Sequence, residues 1–360
     1  MSELGPSADL QRLIKDGRGD IALWAAKGFG VHFHDKQLYM LEELDESEAS
    51  YYVVFGGNRA GKTLPVLFKH LHLTYYKIGL PVPETTREYR MWLSEDYRTL
   101  HCAPTNGLVS KHWAYASELL KGTHPSQRDE DGKRRDAPLG AMFTTATESV
   151  GGSGEHLVIR SLTGGTVDMY STEGNATRIE SMPWRFGSWD EWPLQEAADK
   201  GTAIRMVLDR LSNRLSDFDG KLLLTGTLTD DTEHIGREFL EDAEDPDNRD
   251  WAAIHISRLD NPYASRKAIG LAERNMSDDD YKRTVLGQAG GVKGRIFPSW
   301  MVDPAFTRDL PRFTPPNPDD GAVFQASSDR RGRFRTPGTS PWTYYHLWDL
   351  AIAAADNVGI

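Results

Sequence analysis

Apolar residues in this chain gather into short runs, separated by polar stretches bearing glycine and proline. Residues 1–50 read as helical and acidic, ending in LEELDESEAS, an exposed lead-in to a core. Residues 51–55, YYVVF, form a short β-rich run that predicts a buried strand. The run enters GGNRAGKT (56–63) and then LPVLFKHLHLTYYKIG, apolar at mostly helical spacing. Strand, glycine-rich loop and helix therefore follow in order. TLHCAP (99–104) predicts a second core strand, with a helix around 106–121, and QRDEDGKRRDAP (127–138) reads as a surface loop. HLVIRSL and TVDMYS flank Gly164 and Gly165 and predict a hairpin over 156–171.

Further on, residues 184–189 lead into Asp190 and Glu191, and LLLTGT (222–227) reads as a buried strand with a polar end. Beyond about residue 230 the pattern turns acidic and helical, running to LGQAGGVKGRIFPSW (286–300). Residues 304–341 are rich in Pro, Gly, Asp and Arg and read as a linker; WTYYHLWDLAIAAADNVGI then resumes as a strand. Strands alternating with helices predict an α/β domain around a mainly parallel sheet.

Composition narrows the class only a little. A chain of 360 residues holds one large domain or two ordinary ones, and 39% hydrophobic with 26% charged residues is ordinary for a soluble globular protein. No apolar run approaches membrane-spanning length, and MSELGPSADLQ lacks the basic cap and apolar core of a secretory signal. Cys102, the single cysteine, excludes an internal disulfide and a Cys-rich zinc site, and fits a reducing cytosol. A net charge of −11 argues against non-specific coating of nucleic acid, yet leaves room for a local basic patch.

The sharpest chemistry lies in the loop Gly56, Gly57, Asn58, Arg59, Ala60, Gly61, Lys62, Thr63, which fits G-x-x-x-x-G-K-[ST]. Glycines let successive N–H groups turn toward phosphate oxygens, and the helix that follows adds its positive dipole end. Lys62 then reaches the β- and γ-phosphates of ATP, and the Thr63 hydroxyl ligates Mg2+. Asp190 and Glu191 end a predicted strand, where neighbouring carboxylates divide two roles, orienting Mg2+ and polarising the attacking water. Arg185 and Ser188 interrupt that strand's apolar run. Thr225, Gly226 and Thr227 place hydroxyls where a third core strand would approach the γ-phosphate. Gln37 carries an amide able to pair with an adenine edge. His32 and His34 alternate as in a strand with no third ligand in view, and read as ordinary polar residues.

Taken in order, these motifs resemble the large subunit of tailed-phage terminases, from about residue 33 to the end. GGNRAGKT resembles that family's Walker A loop, CAPT (102–105) the strand after it, and SWDEWP the Walker B strand. LTGT resembles the family's coupling motif, YKRTVLGQAGGVKGRIFPSW (281–300) its segment between ATPase and nuclease, and HLWDLA (346–351) the first nuclease strand. The resemblance implies a RecA-like (ASCE) P-loop NTPase with a mainly parallel sheet flanked by helices, plus the first strand of a truncated RNase H-like domain. It divides the chain into an N-terminal helical region with the adenine-side motif (1–50), an ATPase core (51–260), a lid or linker (261–340) and the start of the nuclease (341–360).

By the same resemblance, Lys62 and Thr63 serve phosphate and Mg2+, Asp190 serves Mg2+, Glu191 the catalytic water, and Gln37 the adenine side. Asp349 would be the first nuclease carboxylate, with Asp356 as a companion. One departure stands out: many relatives carry the loop arginine where Asn58 stands, and here Arg59 follows it. Arg59 is the cis candidate for stabilising charge in hydrolysis, with Arg205, Arg210 and Arg214 as candidates across a subunit boundary.

The implied function is an ATP-driven motor that packages double-stranded DNA into viral procapsids. Its partners would be DNA, the portal protein and the terminase small subunit, in a homo-oligomeric ring on the portal or a monomer in solution. Its place would be the bacterial host cytoplasm and the portal vertex, with no membrane. A helicase-like or DNA-repair ATPase with the same core is the alternative, and a non-hydrolysing nucleotide-binding scaffold is the reading from another class. Too few residues follow Asp349 to complete a nuclease domain, so nuclease activity is expected to be absent.

Overall fold

The apolar run after residue 50 forms the strand β1 (Tyr51–Gly56), buried on both faces except at its first residue. A run buried on both sides reads as continuously apolar, which is why this strand was legible without alternation. A computed structural model describes residues 8–129, 131–149, 155–173, 179–180, 182–195, 202–228 and 235–288. The chain divides into two units, Met1–Gly290 and Gly291–Ile360, and every described residue lies in the first.

In chain order, α1 (Ala8–Asp16), α2 (Ile21–Phe29) and α3 (Asp35–Glu46) precede β1. Then follow α4 (Thr63–Tyr76), α5 (Thr86–Ser94), β2 (Tyr97–Ala103), α6 (Asn106–Leu120), β3 (Phe143–Ser149), β4 (Glu155–Ser161), β5 (Gly165–Ser171) and β6 (Phe186–Asp190). The order continues with α7 (Thr202–Leu215), β7 (Lys221–Gly226), α8 (Gly236–Glu244), β8 (Trp251–Ile256), α9 (Arg266–Asn275) and α10 (Asp278–Tyr281), ending in a π-helical turn, Lys282–Leu286.

The strands make one eight-stranded sheet in the order β3-β4-β5-β2-β6-β7-β1-β8. From β5 to β8 along that order every pairing is parallel, while β4 runs antiparallel to both β5 and β3. The mainly parallel sheet expected from the sequence is therefore present. Alternate residues of β1 serve opposite faces: Val53 and Phe55 pack with residues of α7 and α8, Tyr52 and Val54 with residues of α3 and α4. A third cluster joins Trp24 and Phe29 of α2, Phe68 and Leu71 of α4, and Leu119 of α6. Helix α4 is buried from Leu64 to its last residue, so it is a core helix and not an amphipathic one.

Three elements escape the sequence reading. Strand β3 extends the predicted hairpin into a three-stranded meander, α5 follows a Pro-rich segment, and β8 adds an edge strand within the stretch expected to be helical. The WAAIHI run of β8 is short, and only Ile254 and Ile256 in it are fully buried, so periodicity alone gives little signal. The polar interruptions of β6 also have partners. Arg185 lies over the rings of Tyr97 and Phe218, and Ser188 bonds two histidines. The segment 304–341, the final strand, Asp349 and Asp356 lie outside the described residues.

Candidate active site

The phosphate loop leaves β1 at its C-terminal end and opens directly into α4. The first N–H groups of a helix lack intrahelical acceptors, so the amides at this junction are set to receive an anion. Lys62 is buried, and its Nζ donates to the carbonyls of Gly56 at 2.8 Å and Gly57 at 3.3 Å, with Thr227 Oγ1 at 3.5 Å. Burial lowers the Lys62 ammonium below its ordinary range, and the charges of Glu191 and Asp190 pull it back up. A cation held by backbone carbonyls of its own loop is one that a phosphate oxygen can draw away.

The carboxylate pair stands across from it, at the end of β6, with β7 lying between β6 and β1. Asp190 is fully buried. Its Oδ2 accepts the Thr63 hydroxyl at 2.8 Å, and its Oδ1 accepts the Thr225 hydroxyl and, at 3.0 Å, the Glu191 N–H. Burial alone would raise the Asp190 carboxyl. The imidazoles of His112 and His101 and the hydroxyls of Thr225 and Thr63 outweigh it, holding the carboxyl below its ordinary range. Glu191 sits in the left-handed region at φ 52, an uncommon conformation for a residue with a Cβ. Burial pushes Glu191 above its ordinary range; Lys62 opposes that, Asp190 adds to it, and the Thr227 N–H also favours the anion.

The structure therefore brings together Lys62, Thr63, Asp190, Glu191, Thr225 and Thr227. Thr227 Oγ1 lies 3.0 Å from the Gly56 carbonyl and 3.1 Å from Asn58 Oδ1, linking the end of β7 to the loop. Gln37 is placed at the loop, but its amide is engaged: Nε2 donates to the Gly61 carbonyl at 2.7 Å, and Oε1 accepts the His34 N–H at 3.1 Å. Arg59 is exposed at φ 63, and its carbonyl accepts Asn261 Nδ2 at 2.9 Å. Arg205 pairs with Glu238 and Arg210 with Glu180 at 2.8 Å, while the Arg214 carbonyl accepts the Trp184 N–H.

Several site residues were not found from sequence. His34 was read as an ordinary polar residue, yet its Nε2 lies 3.2 Å from the Ala60 carbonyl, so the phosphate loop is held by Gln37 of α3 and by the residue that caps that helix. Asn261 and the turn at 282–288 also reach the loop: the Asn58 N–H donates to the Thr284 carbonyl at 2.7 Å. A Cβ on Gly57 would lie 2.3 Å from the Val285 carbonyl, which leaves no room for any side chain there. Gly287, at φ 69, is as tightly placed; a Cβ on it would come within 2.5 Å of the Gly57 nitrogen. Overpacking of this kind costs ~1–3 kcal/mol. Gly287→Ala is therefore expected to displace the turn from the loop and to weaken ATP binding about tenfold. A fluorescent-nucleotide titration checks this, and unchanged affinity would show that the turn does not support the loop.

The donor set suits a hard cation. Thr63 gives its proton to Asp190, which leaves the hydroxyl lone pairs for an ion, and the nearby donors are mainly oxygens, as Mg2+ prefers. Strand, phosphate loop, helix, and a carboxylate pair two strands away define a P-loop α/β protein of the RecA-like class.

No protein-family model matches the chain, and no curated protein matches it. Among solved structures it is similar to the large terminase ATPase domain of Thermus phage P74-26, at 13% identity and TM-score 0.47, over 79% of this chain and 99% of that one. It is also similar to the large terminase of a thermophilic bacteriophage in complex with ATP-gamma-S, at 16% identity and TM-score 0.48, over 71% of this chain and 52% of that one. The HK97 bacteriophage large terminase is similar at 13% identity and TM-score 0.45, over 67% and 47% of the two chains. The chain thus spans about half the length of the latter two.

Proposed function

We propose that the chain hydrolyses ATP and uses it to drive double-stranded DNA into viral procapsids, as the motor of a terminase large subunit. The observation that carries the hydrolytic part is the Asp190–Glu191 pair. Asp190 is pinned by Thr63 of the loop and Thr225 of β7, and Glu191 is turned separately toward Thr227. In this reading Lys62 leaves the Gly56 and Gly57 carbonyls for the phosphates, and Thr63 with Asp190 holds Mg2+. The ion would neutralise charge developing on the phosphates. Glu191, desolvated and beside a cation, orients and deprotonates the attacking water.

The packaging part rests on the order of motifs along the sequence: GGNRAGKT, CAPT, SWDEWP, LTGT and the segment after residue 280. Double-stranded DNA, a portal protein and a small subunit are its partners in this reading, with a ring formed on the portal in the bacterial cytoplasm. Phosphate release measured with and without duplex DNA tests it. Turnover stimulated by duplex more than by single strands is expected. No hydrolysis under any condition would return the chain to a nucleotide-binding scaffold, and preference for single strands would favour a helicase-like ATPase.

A further inference from the structure

A line of buried polar side chains enters the sheet beside α4 and α6 and ends on the Asp190 carboxylate. His70 Nε2 lies 2.6 Å from Ser188 Oγ, and the same Oγ lies 2.7 Å from His101 Nδ1. His101 Nε2 is 2.9 Å from His112 Nδ1, and His112 Nε2 is 3.5 Å from Asp190 Oδ2. The last link is the longest, an electrostatic contact beyond hydrogen-bond length. The four residues come from α4, β6, β2 and α6 in turn. Neither phosphate binding nor water activation as described above uses them, and aliphatic side chains would fill the same space without the desolvation cost of three imidazoles.

The Asp190 end sets the direction of every proton in this line. An ionised carboxylate only accepts, so His112 carries its proton on Nε2 and leaves Nδ1 bare. His101 then donates from Nε2 and accepts at Nδ1. Ser188 gives its hydroxyl proton to that nitrogen and accepts the proton of His70 Nε2. Within this line His70 Nδ1 has no partner among the described residues, and it is a bare acceptor. Three neutral imidazoles satisfy the line.

We propose that His112 is a positioning residue of the nucleotide site, its Nε2 set 3.5 Å from Asp190 Oδ2 beside the Thr63 hydroxyl, with the His70–Ser188–His101 line behind it fixing its tautomer and ring. Oδ1 already has two donors, the Thr225 hydroxyl and the Glu191 N–H. Oδ2 has Thr63, whose oxygen would also hold the ion, and His112 Nε2 lies 3.5 Å away on the other side. Without the imidazole, Oδ2 keeps the Thr63 hydroxyl alone and that side of the carboxylate is less firmly held. Groups that orient metal-site carboxylates from behind typically carry about 10–100-fold in metal affinity or activity.

The first test needs neither nucleotide nor metal. Long-range proton–nitrogen spectra of histidine-labelled protein in chelator should show His70, His101 and His112 neutral at pH 7, each protonated on Nε2. A His112 bare at Nε2 and protonated on Nδ1 overturns the proposal.

The second test is kinetic and rests on the ATPase reading above. His112→Ala should raise the Mg2+ concentration for half-maximal phosphate release about tenfold or more, with unchanged affinity for ADP measured without metal. His112→Gln, which carries an N–H near the place of the imidazole Nε2, should recover most of that loss. Equal loss in both variants, or an unchanged Mg2+ dependence in the alanine variant, would reduce His112 to packing. Absence of phosphate release from the unaltered protein would sink the ATPase reading instead, and the tautomer spectrum tells the two failures apart.

Discussion

Glu191→Gln is expected to retain ATP and to lose turnover by ~10²–10⁴-fold, the usual contribution of a positioned general base. Glutamine keeps the size of the side chain and can still accept the Thr227 N–H that the carboxylate accepts here. What it cannot do is take a proton from water. Lys62→Ala is expected to fail differently, losing binding as well as hydrolysis. Lys62 is the buried cation of the loop, donating to the Gly56 and Gly57 carbonyls and, at 3.5 Å, to Thr227 Oγ1. Removing it leaves a phosphate to meet two carbonyl oxygens in a desolvated site, where charge–charge terms are large. Titration with a fluorescent nucleotide and a phosphate-release assay on both variants separate the two effects. A Glu191→Gln protein that hydrolyses at the unaltered rate would falsify the assignment.

Thr225→Val together with Thr227→Val should lower turnover about 10–100-fold while leaving ATP binding largely intact, since a buried charge deprived of a donor loses ~1–3 kcal/mol of fixation. Valine preserves the β-branched shape that suits the strand, so β7 should persist and the loss should be one of hydroxyls alone. The Thr225 hydroxyl donates to Asp190 Oδ1, and that of Thr227 joins the Gly56 carbonyl to the Asn58 side chain. Both are contacts between the carboxylate strand, the loop and the strand between them. Stimulation by duplex DNA should fall with the basal rate if β7 transmits the nucleotide state. A double variant equal to the unaltered protein in binding, turnover and stimulation would leave these threonines as strand-end residues only.

Much of the site was legible because its chemistry is local. The phosphate loop is eight contiguous residues between a strand and a helix, and both flanking elements announce themselves by short-range pattern. Asp190 and Glu191 are adjacent, Thr225 and Thr227 are two apart, and each pair sits at the end of a predicted strand, clearly apolar only for the threonines. Even so, the partners of Gln37 and His34 were out of reach. Helix-start spacing explains the bond between Gln37 and the His34 N–H, whereas the bonds to Gly61 and Ala60 exist only because α3 packs against the loop.

By itself, then, the sequence determined the α/β class, the loop, the carboxylate pair and the polar end of β7, all of which depend on residues within a few positions of one another. The tertiary structure alone decided what surrounds them. His70, His101 and His112 lie on three different elements, and no spacing rule joins them to Asp190 until the parallel register sets His101 beside Ser188. Edge strands β3 and β8 depend on neighbours for their stability more than on their own pattern, so their sequences carry little mark of it. The turn at 282–288 reaches the loop from more than two hundred residues away, and backbone atoms make most of its contacts. Backbone carbonyls and amides are the same in every residue, so only folding can reveal which of them meet.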